Sequence, residues 1–487
     1  MSPTLILIVI STYIAILFAI TWVTAKRANS QSFYIGNKSS PWFVVAYGMI
    51  GASLSGVTFM SVPGWVQETN FTYLLVVIGN MAGYAVIALV LMPLYYRLNL
   101  TSIYTYLDKR FGFWSYKTGA GFFIISRMMG ATLRMFLVVY VLQEFVFNAW
   151  NIPFWVNALL FIVLVVLYTF KGGIKTIIWT DTLQTTFMIL AVIISVIFIS
   201  RQMDSSVGQM LVTIRENGFT KVFEYDWQSE RFFLKQFLSG MFICIAMTGL
   251  DQEMMQKNLS CRNIKDAQKN MFTFSGILIL VNLMFLTLGG FLAVYARSRG
   301  IVVDSTDDLF PTIALNYMGP IAGVVFMVGL ISAAFPSADG ALTSLTTSVS
   351  IDFLGLDKRK DLPEKKATRI RYTVHITIAI LFFICILAFS KLNNRAVIDE
   401  LFTIAGYTYG PLLGLYSFGL FTKRSVTDNL TPFIAVLSPV ICYFLSKYSV
   451  QLFNGYKFGF ELLLVNGMIT FLGLLAFSKR DPKGVVL

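Results

Sequence analysis

Thirteen predominantly apolar stretches follow one another along the 487 residues, separated only by short polar pieces. They lie near 4–25, 41–66, 71–96, 116–147, 153–170, 176–200, 233–250, 271–296, 319–350, 370–390, 399–420, 428–446 and 458–477. A helix rising 1.5 Å per residue needs about 20 apolar residues to cross a hydrocarbon layer roughly 30 Å thick. Inside that layer the backbone has no water to bond, so each stretch must satisfy its own amides as a helix. The series predicts an all-α polytopic membrane protein of about 13 transmembrane helices. Charged residues make up 13% of the chain, about half the ~25% of a soluble domain, which excludes a water-soluble enzyme. One histidine (His375) and four scattered cysteines (Cys244, Cys261, Cys385, Cys442) leave no His cluster and no CxxC. Zinc chemistry, a His-based triad and a disulfide framework are therefore not expected, and neither is enzymatic activity or an organic cofactor.

The net charge of +13 does not point to a nucleic-acid partner, because no block of five or more like charges occurs in a row. The lysines and arginines sit instead in short loops, 25 on the side of the first loop and 11 on the other, with Arg127 and Arg134 inside a span. The positive-inside rule makes the first side cytoplasmic, which places the N-terminus outside and the C-terminus inside. The expected location is the plasma membrane, a bacterial inner membrane, with the lipid bilayer as surroundings and no obligate protein partner. The first stretch has no basic residues before it and is followed by Lys26-Arg27, which reads as a membrane helix rather than a cleaved leader. The longest pieces between spans, 201–232 and 351–370, are too short for a separate soluble domain. Residues 1–487 therefore read as a single membrane transport domain.

Ionisable side chains at bilayer depth cost about 2.5–3.5 kcal/mol each and call for a reason. The deep set is Asp181, Asp339, Arg127 and Arg134. They either neutralise one another as packing pairs or serve a site. Asp339 lies in Ser332-Ala-Ala-Phe-Pro-Ser-Ala-Asp-Gly-Ala-Leu-Thr-Ser344, where Ser332, Pro336, Asp339 and Thr343 share a helical face. Pro336 frees carbonyls one turn earlier, near Ser332 and Ala333. A carboxylate, hydroxyls and free carbonyls suit a hard cation. The span 41–66 contains Gly48-Met-Ile-Gly-Ala-Ser-Leu-Ser-Gly-Val-Thr-Phe-Met-Ser-Val-Pro-Gly64. That composition suits a discontinuous helix lining a cavity, although glycine equally serves close helix packing. Span 7 repeats the signal, with Gly240, Thr248 and Gly249 leading into Asp251-Gln252. Interrupted helices five spans apart predict two inverted repeats, 41–200 and 233–420, around a midplane site. Residues 1–25 and 428–477 are then peripheral helices.

Four strings in order complete the reading: Ser102-Ile-Tyr-Thr-Tyr-Leu-Asp-Lys-Arg-Phe111, Gly172-Gly173 with Trp179-Thr-Asp-Thr-Leu-Gln184, Asp251-Gln-Glu-Met-Met-Gln-Lys257, and Gly410-Pro-Leu-Leu-Gly414. The set resembles the sodium/solute symporter family, which includes sodium-coupled glucose, proline and sialic acid transporters. The resemblance implies a leucine-transporter-like 5+5 inverted repeat and inward uptake of a small solute with a cation. It implies a sodium site made by the carbonyls of Gly51, Leu54 and Ala333 and the hydroxyl of Ser337. Pro336 departs from the pattern, since it supplies no hydroxyl. A second cation site, as in sialic-acid-type members, falls on Asp181 with Asp339 and Gly340. Sodium is the expected coupling ion, and a proton shared between the two acids is the alternative.

The resemblance also places the solute beside the first broken helix, where Ser53, Ser55 and Thr58 match hydroxyl positions. Asn80 and Gln252 are further candidates, and each of these polar groups has a local backbone bond as its alternative. Arg134 is a candidate clamp for a carboxylate. The carboxylate-binding arginine of sialic acid transporters corresponds to Gly130, one turn earlier. Tyr407 and Tyr409 either gate the solute or pack. The reading is a symporter importing a sugar, sialic acid or related carboxylate with Na+. Its rivals are proton-coupled symport, a non-transporting sensor and a channel. No output domain is visible for a sensor and no ring of like charges for a channel.

Overall fold

The structure, a computed structural model, describes residues 3–24, 30–170, 173–359, 361–391 and 397–480. Lys26, Arg27 and Gly172, used above, lie outside those residues. Each of the thirteen apolar stretches falls on helix. By length and apolarity eight helices qualify as crossings, or ten when two bent pairs each count as one. The expected count of thirteen is not reached on these measures. Phe154–Thr169 and Leu462–Ala476 are shorter, and Val397–Phe421, at 25 residues, is diluted by glycine, tyrosine and threonine.

Enclosure is uneven. Of the most apolar window of Gly319–Phe353, 78% is buried, against 22% for Thr4–Thr24 and for Asp428–Lys447. The hydroxyl-rich 319–353 helix thus stands at the centre, and helices with little besides aliphatic and aromatic residues stand at the rim. That order follows from lipid being a poor solvent for hydroxyls and carboxylates.

Two helices are broken. Trp42–Ser53 and Gly56–Thr69 meet at 58°, with Leu54 (φ −90°, ψ 91°) and Ser55 (φ −83°, ψ 177°) extended between them. Phe233–Gly249 and Gln252–Leu259 meet at 66°. Asp251 starts the second half as a cap, its Oδ1 accepting from the amides of Glu253 (2.9 Å) and Met254 (3.2 Å). The carbonyls released at this break are claimed by tyrosines: Tyr95 donates to Gly249 O and Tyr104 to Leu250 O, both at 2.8 Å. Irregular backbone at membrane depth is tolerated where such partners exist.

The 233–249 helix packs on Tyr73–Arg97 through small residues on both sides. A side chain at Gly240 would run into the Val76 backbone, and one at Gly83 would stand 2.6 Å from Met241 O. Close backbone approach of this kind takes the place of a hydrophobic driving force between membrane helices. Gly240→Val is accordingly expected to lower the thermal midpoint of the purified protein, at a cost of about 3 kcal/mol from overpacking. An unchanged melting curve would contradict this contact.

Candidate functional site

The second break carries more buried charge than any other place described. Asp251, which caps the 252–259 helix, and Glu253 and Lys257, one turn apart on it, are at most 1% exposed. Lys257 Nζ lies 2.7 Å from Asp181 Oδ2 and 3.5 Å from Glu253 Oε1. Arg127 pairs with Glu253 and stands 3.8 Å from Asp251 Oδ2. Tyr409 donates to Asp251 Oδ2 at 2.7 Å. Four helices, 113–145, 174–202, 252–259 and 397–421, are thereby tied through one network. Removing one member of such a network strands a charge in low dielectric.

Asp181 is a member of this network, whereas Asp339 shares its neighbourhood but not its bonding. Asp181 has both oxygens engaged: Oδ2 by Lys257, and Oδ1 by the Gln184 amide at 3.3 Å when that amide is oriented to donate. Asp339 Oδ2 accepts from Tyr168 at 2.8 Å. Asp339 Oδ1 and the hydroxyls of Ser337 and Thr343 are buried without a hydrogen-bond partner among the described residues. Pro336 sits inside a continuous helix, Gly319–Ser348, rather than at a break. Gly51 packs against that helix: a Cβ there would meet Pro336 Cγ at 3.6 Å, and its amide donates to Thr185 Oγ1 at 3.0 Å. The turn 333–337 and the backbone at 51–54 therefore face each other.

A cavity of about 100 Å3 lies beside the first break. Its lining includes Ser53, Ser55, Thr58, Asn80, Arg127 and Arg134, with Tyr73, Tyr84, Thr248, Leu401 and Phe402. Five of the six expected solute contacts thus converge. The sixth, Gln252, does not: it accepts from the Ile103 amide at 2.9 Å and donates to Thr101 O at 2.8 Å. Asn80, oriented to donate, reaches Gly240 O at 2.8 Å and Val76 O at 3.2 Å, so its amide nitrogen is engaged by backbone. Arg134 is 8% exposed and makes no ion pair among the described residues, and its Nε has no partner. A second cavity of about 440 Å3, lined by Glu68, Glu230, Arg231 and Gln236, shares Phe402 with the first. Rings bridge the two: Phe402 to Phe460 at 4.6 Å, Phe460 to Trp65 at 6.4 Å and Trp65 to Tyr73 at 6.0 Å between centroids. Tyr407 lines only the second of these cavities, whereas Tyr409 belongs to the charge network.

Comparison with known proteins places this arrangement. Residues 33–429 match the sodium:solute symporter family. The chain belongs to that family. Among curated relatives it is 22% identical to the sodium/sialic acid symporter of Proteus mirabilis, over 90% of this chain and 88% of that protein. It is 25% identical to the mouse sodium-coupled monocarboxylate transporter 1, over 85% of this chain and 67% of that protein. Among solved structures, a Na+-coupled sialic acid symporter in a substrate-bound outward-open state superposes with a TM-score of 0.80, at 20% identity over 98% and 99% of the two chains. A nucleobase–cation symporter in a closed conformation gives 0.53, at 12% identity over 93% and 94%. The fold of this symporter-family member is leucine-transporter-like, with the first helix of each five-helix half discontinuous.

Asp251, Glu253 and Lys257 are the charged residues of this network that the deep set of the sequence missed. They stand immediately after an apolar run ending near 250 and so read as an interfacial loop. The structure folds them back inside through the 66° bend. The i, i+4 pair Glu253 and Lys257 behind an Asp cap was the visible signal.

Proposed function

We propose that this chain is a secondary active symporter that imports a small organic acid together with sodium by alternating access. The carrying observation is the buried Arg134, without an ion pair among the described residues, in a cavity whose remaining polar lining is mostly hydroxyl. An unpaired guanidinium in a site largely shielded from water is stabilised by an arriving carboxylate, which its planar fork receives in two bonds. Ser53, Ser55, Thr58 and the Asn80 oxygen complete the solute contacts.

Sodium is held on the opposite face of the same break by the carbonyls of Gly51, Leu54 and Ala333 and the hydroxyl of Ser337. Asp339 Oδ1 supplies the negative charge that Pro336, lacking a hydroxyl, does not replace as a ligand. Asp181 acts at one remove, through its pairing with Lys257. Because residues 51–55 belong to both sites, filling one orders the backbone used by the other, which is the physical basis of coupling. The cavity beyond Phe402 is the outer vestibule, on the side of loop 201–232, in a plasma membrane with the C-terminus inside.

Uptake into proteoliposomes tests the reading, with labelled sialic acid, pyruvate and glucose as probes. The expected result is concentration of an acid above its equilibrium level under an inward sodium gradient. Accumulation driven only by a pH gradient would make the proton the coupling ion. Mere equilibration would make the chain a channel, and binding without uptake a sensor. Asp339→Asn keeps an oxygen for the Tyr168 hydrogen bond but loses the charge. It is expected to raise the sodium concentration for half-maximal uptake at least about tenfold, the equivalent of 1.4 kcal/mol. An unchanged sodium dependence would remove Asp339 from the site.

A further inference from the structure

We infer that Lys257 is a built-in cation whose ammonium holds the place of a second exchangeable ion, so that the chain binds one sodium and not two. The inference rests on the sodium-coupled reading above and specifies its ion count.

Buried carboxylates require a positive neighbour. Between the 174–202 and 319–353 helices that neighbour is already supplied by the chain. Lys257 Nζ is 2.7 Å from Asp181 and 3.5 Å from Glu253, and Asp339 has Asp181 and Lys257 as its charged neighbours. The remaining Asp181 oxygen takes the Gln184 amide. At Gly340 a side chain would overlap the Glu253 carboxylate, so Glu253 fills the volume that a hydroxyl at 340 would occupy as a ligand. A second free ion would have to displace Lys257 from these oxygens. The ammonium is tethered, so its local concentration is of millimolar order or higher without any loss of translational freedom. Two of its three donors are directed at fixed acceptors, Asp181 Oδ2 and Glu253 Oε1.

Which of these acids already has an ion-pair partner points to the same place for a single exchangeable cation. Four buried acids, Asp181, Asp251, Glu253 and Asp339, meet two buried bases in ion pairs, Arg127 and Lys257. Of these four acids Asp339 is the one without a direct ion pair among the described residues, and its Oδ1 has no hydrogen-bond partner there. It is the carboxylate of this cluster left for an exchangeable cation, in the same helical turn as Ser337.

Equilibrium binding of radioactive sodium to the purified full-length protein tests this without any solute. The wild type is expected to bind one sodium per chain, Lys257→Arg one, and Lys257→Ala two, the second in the place vacated beside Asp181 and Glu253. Two sodium ions on the wild type would overturn the inference and leave symport standing. One ion on both the wild type and a folded Lys257→Ala would also overturn it, since removing the ammonium would then have opened nothing. No sodium on the wild type would overturn both this inference and the sodium-coupled reading. Lys257→Gln, which keeps most of the side chain but not its charge, gives the same reading if Lys257→Ala does not fold: two ions are expected, and one would overturn the inference.

Discussion

Arg134→Ala is expected to weaken binding of an acidic solute by roughly 100- to 1,000-fold while changing the affinity for a neutral sugar less than about threefold. Truncating one partner of a buried, hydrogen-bonded charge pair costs about 2–5 kcal/mol, and each 1.4 kcal/mol is a factor of ten. Arg134 is buried in the cavity lining and has no ion pair among the described residues, so its charge is compensated only when the solute brings one. Arg134→Lys keeps the charge but loses the planar fork and should fall between the two. Calorimetric titration with sialic acid and with an uncharged sugar reads the difference. Equal losses for both solutes would make Arg134 a packing residue.

Arg127→Ala should be the most destabilising single change, at about 3–5 kcal/mol. It strands Glu253, with which Arg127 pairs, and deprives Asp251 of the guanidinium 3.8 Å away, both fully buried. The double replacement Arg127→Met with Glu253→Met removes both charges and should recover most of the loss, because a buried pair replaced by apolar groups of similar volume is often close to neutral. Thermal unfolding of the detergent-purified variants checks it. A double variant as unstable as the single one would show that these side chains matter through shape and not through charge.

How far the sequence could be read follows from which forces act locally. Apolar length is a local property, so each of the thirteen stretches came out helical. The break at Ser53-Leu54-Ser55 was legible because glycines and hydroxyls weaken a lipid-facing helix wherever they occur. Arg127 and Arg134, seven residues apart, were placed on nearly one helix face, and both line the cavity. Partner choice is a tertiary property and was not legible. Nothing near Asp181 in the chain says that Lys257, 76 residues away, takes its carboxylate. Gln252 was expected at the solute, but it turns to the 101–103 backbone, which only the bend at 250–251 brings within reach. Pro336 was expected to open its helix and instead sits in a continuous one, where packing on every side holds the turn.

The shared helix break at 51–55 is tested most directly by measuring solute affinity in sodium and in potassium, and sodium affinity with and without solute, on the same purified protein. Linkage requires the two factors to be equal. The expected result is a sialic acid affinity at least about fivefold higher in sodium than in potassium, matched by the same gain in sodium affinity when sialic acid is present. Sialic acid binding of identical strength in both salts would contradict the sharing of that backbone by solute and ion.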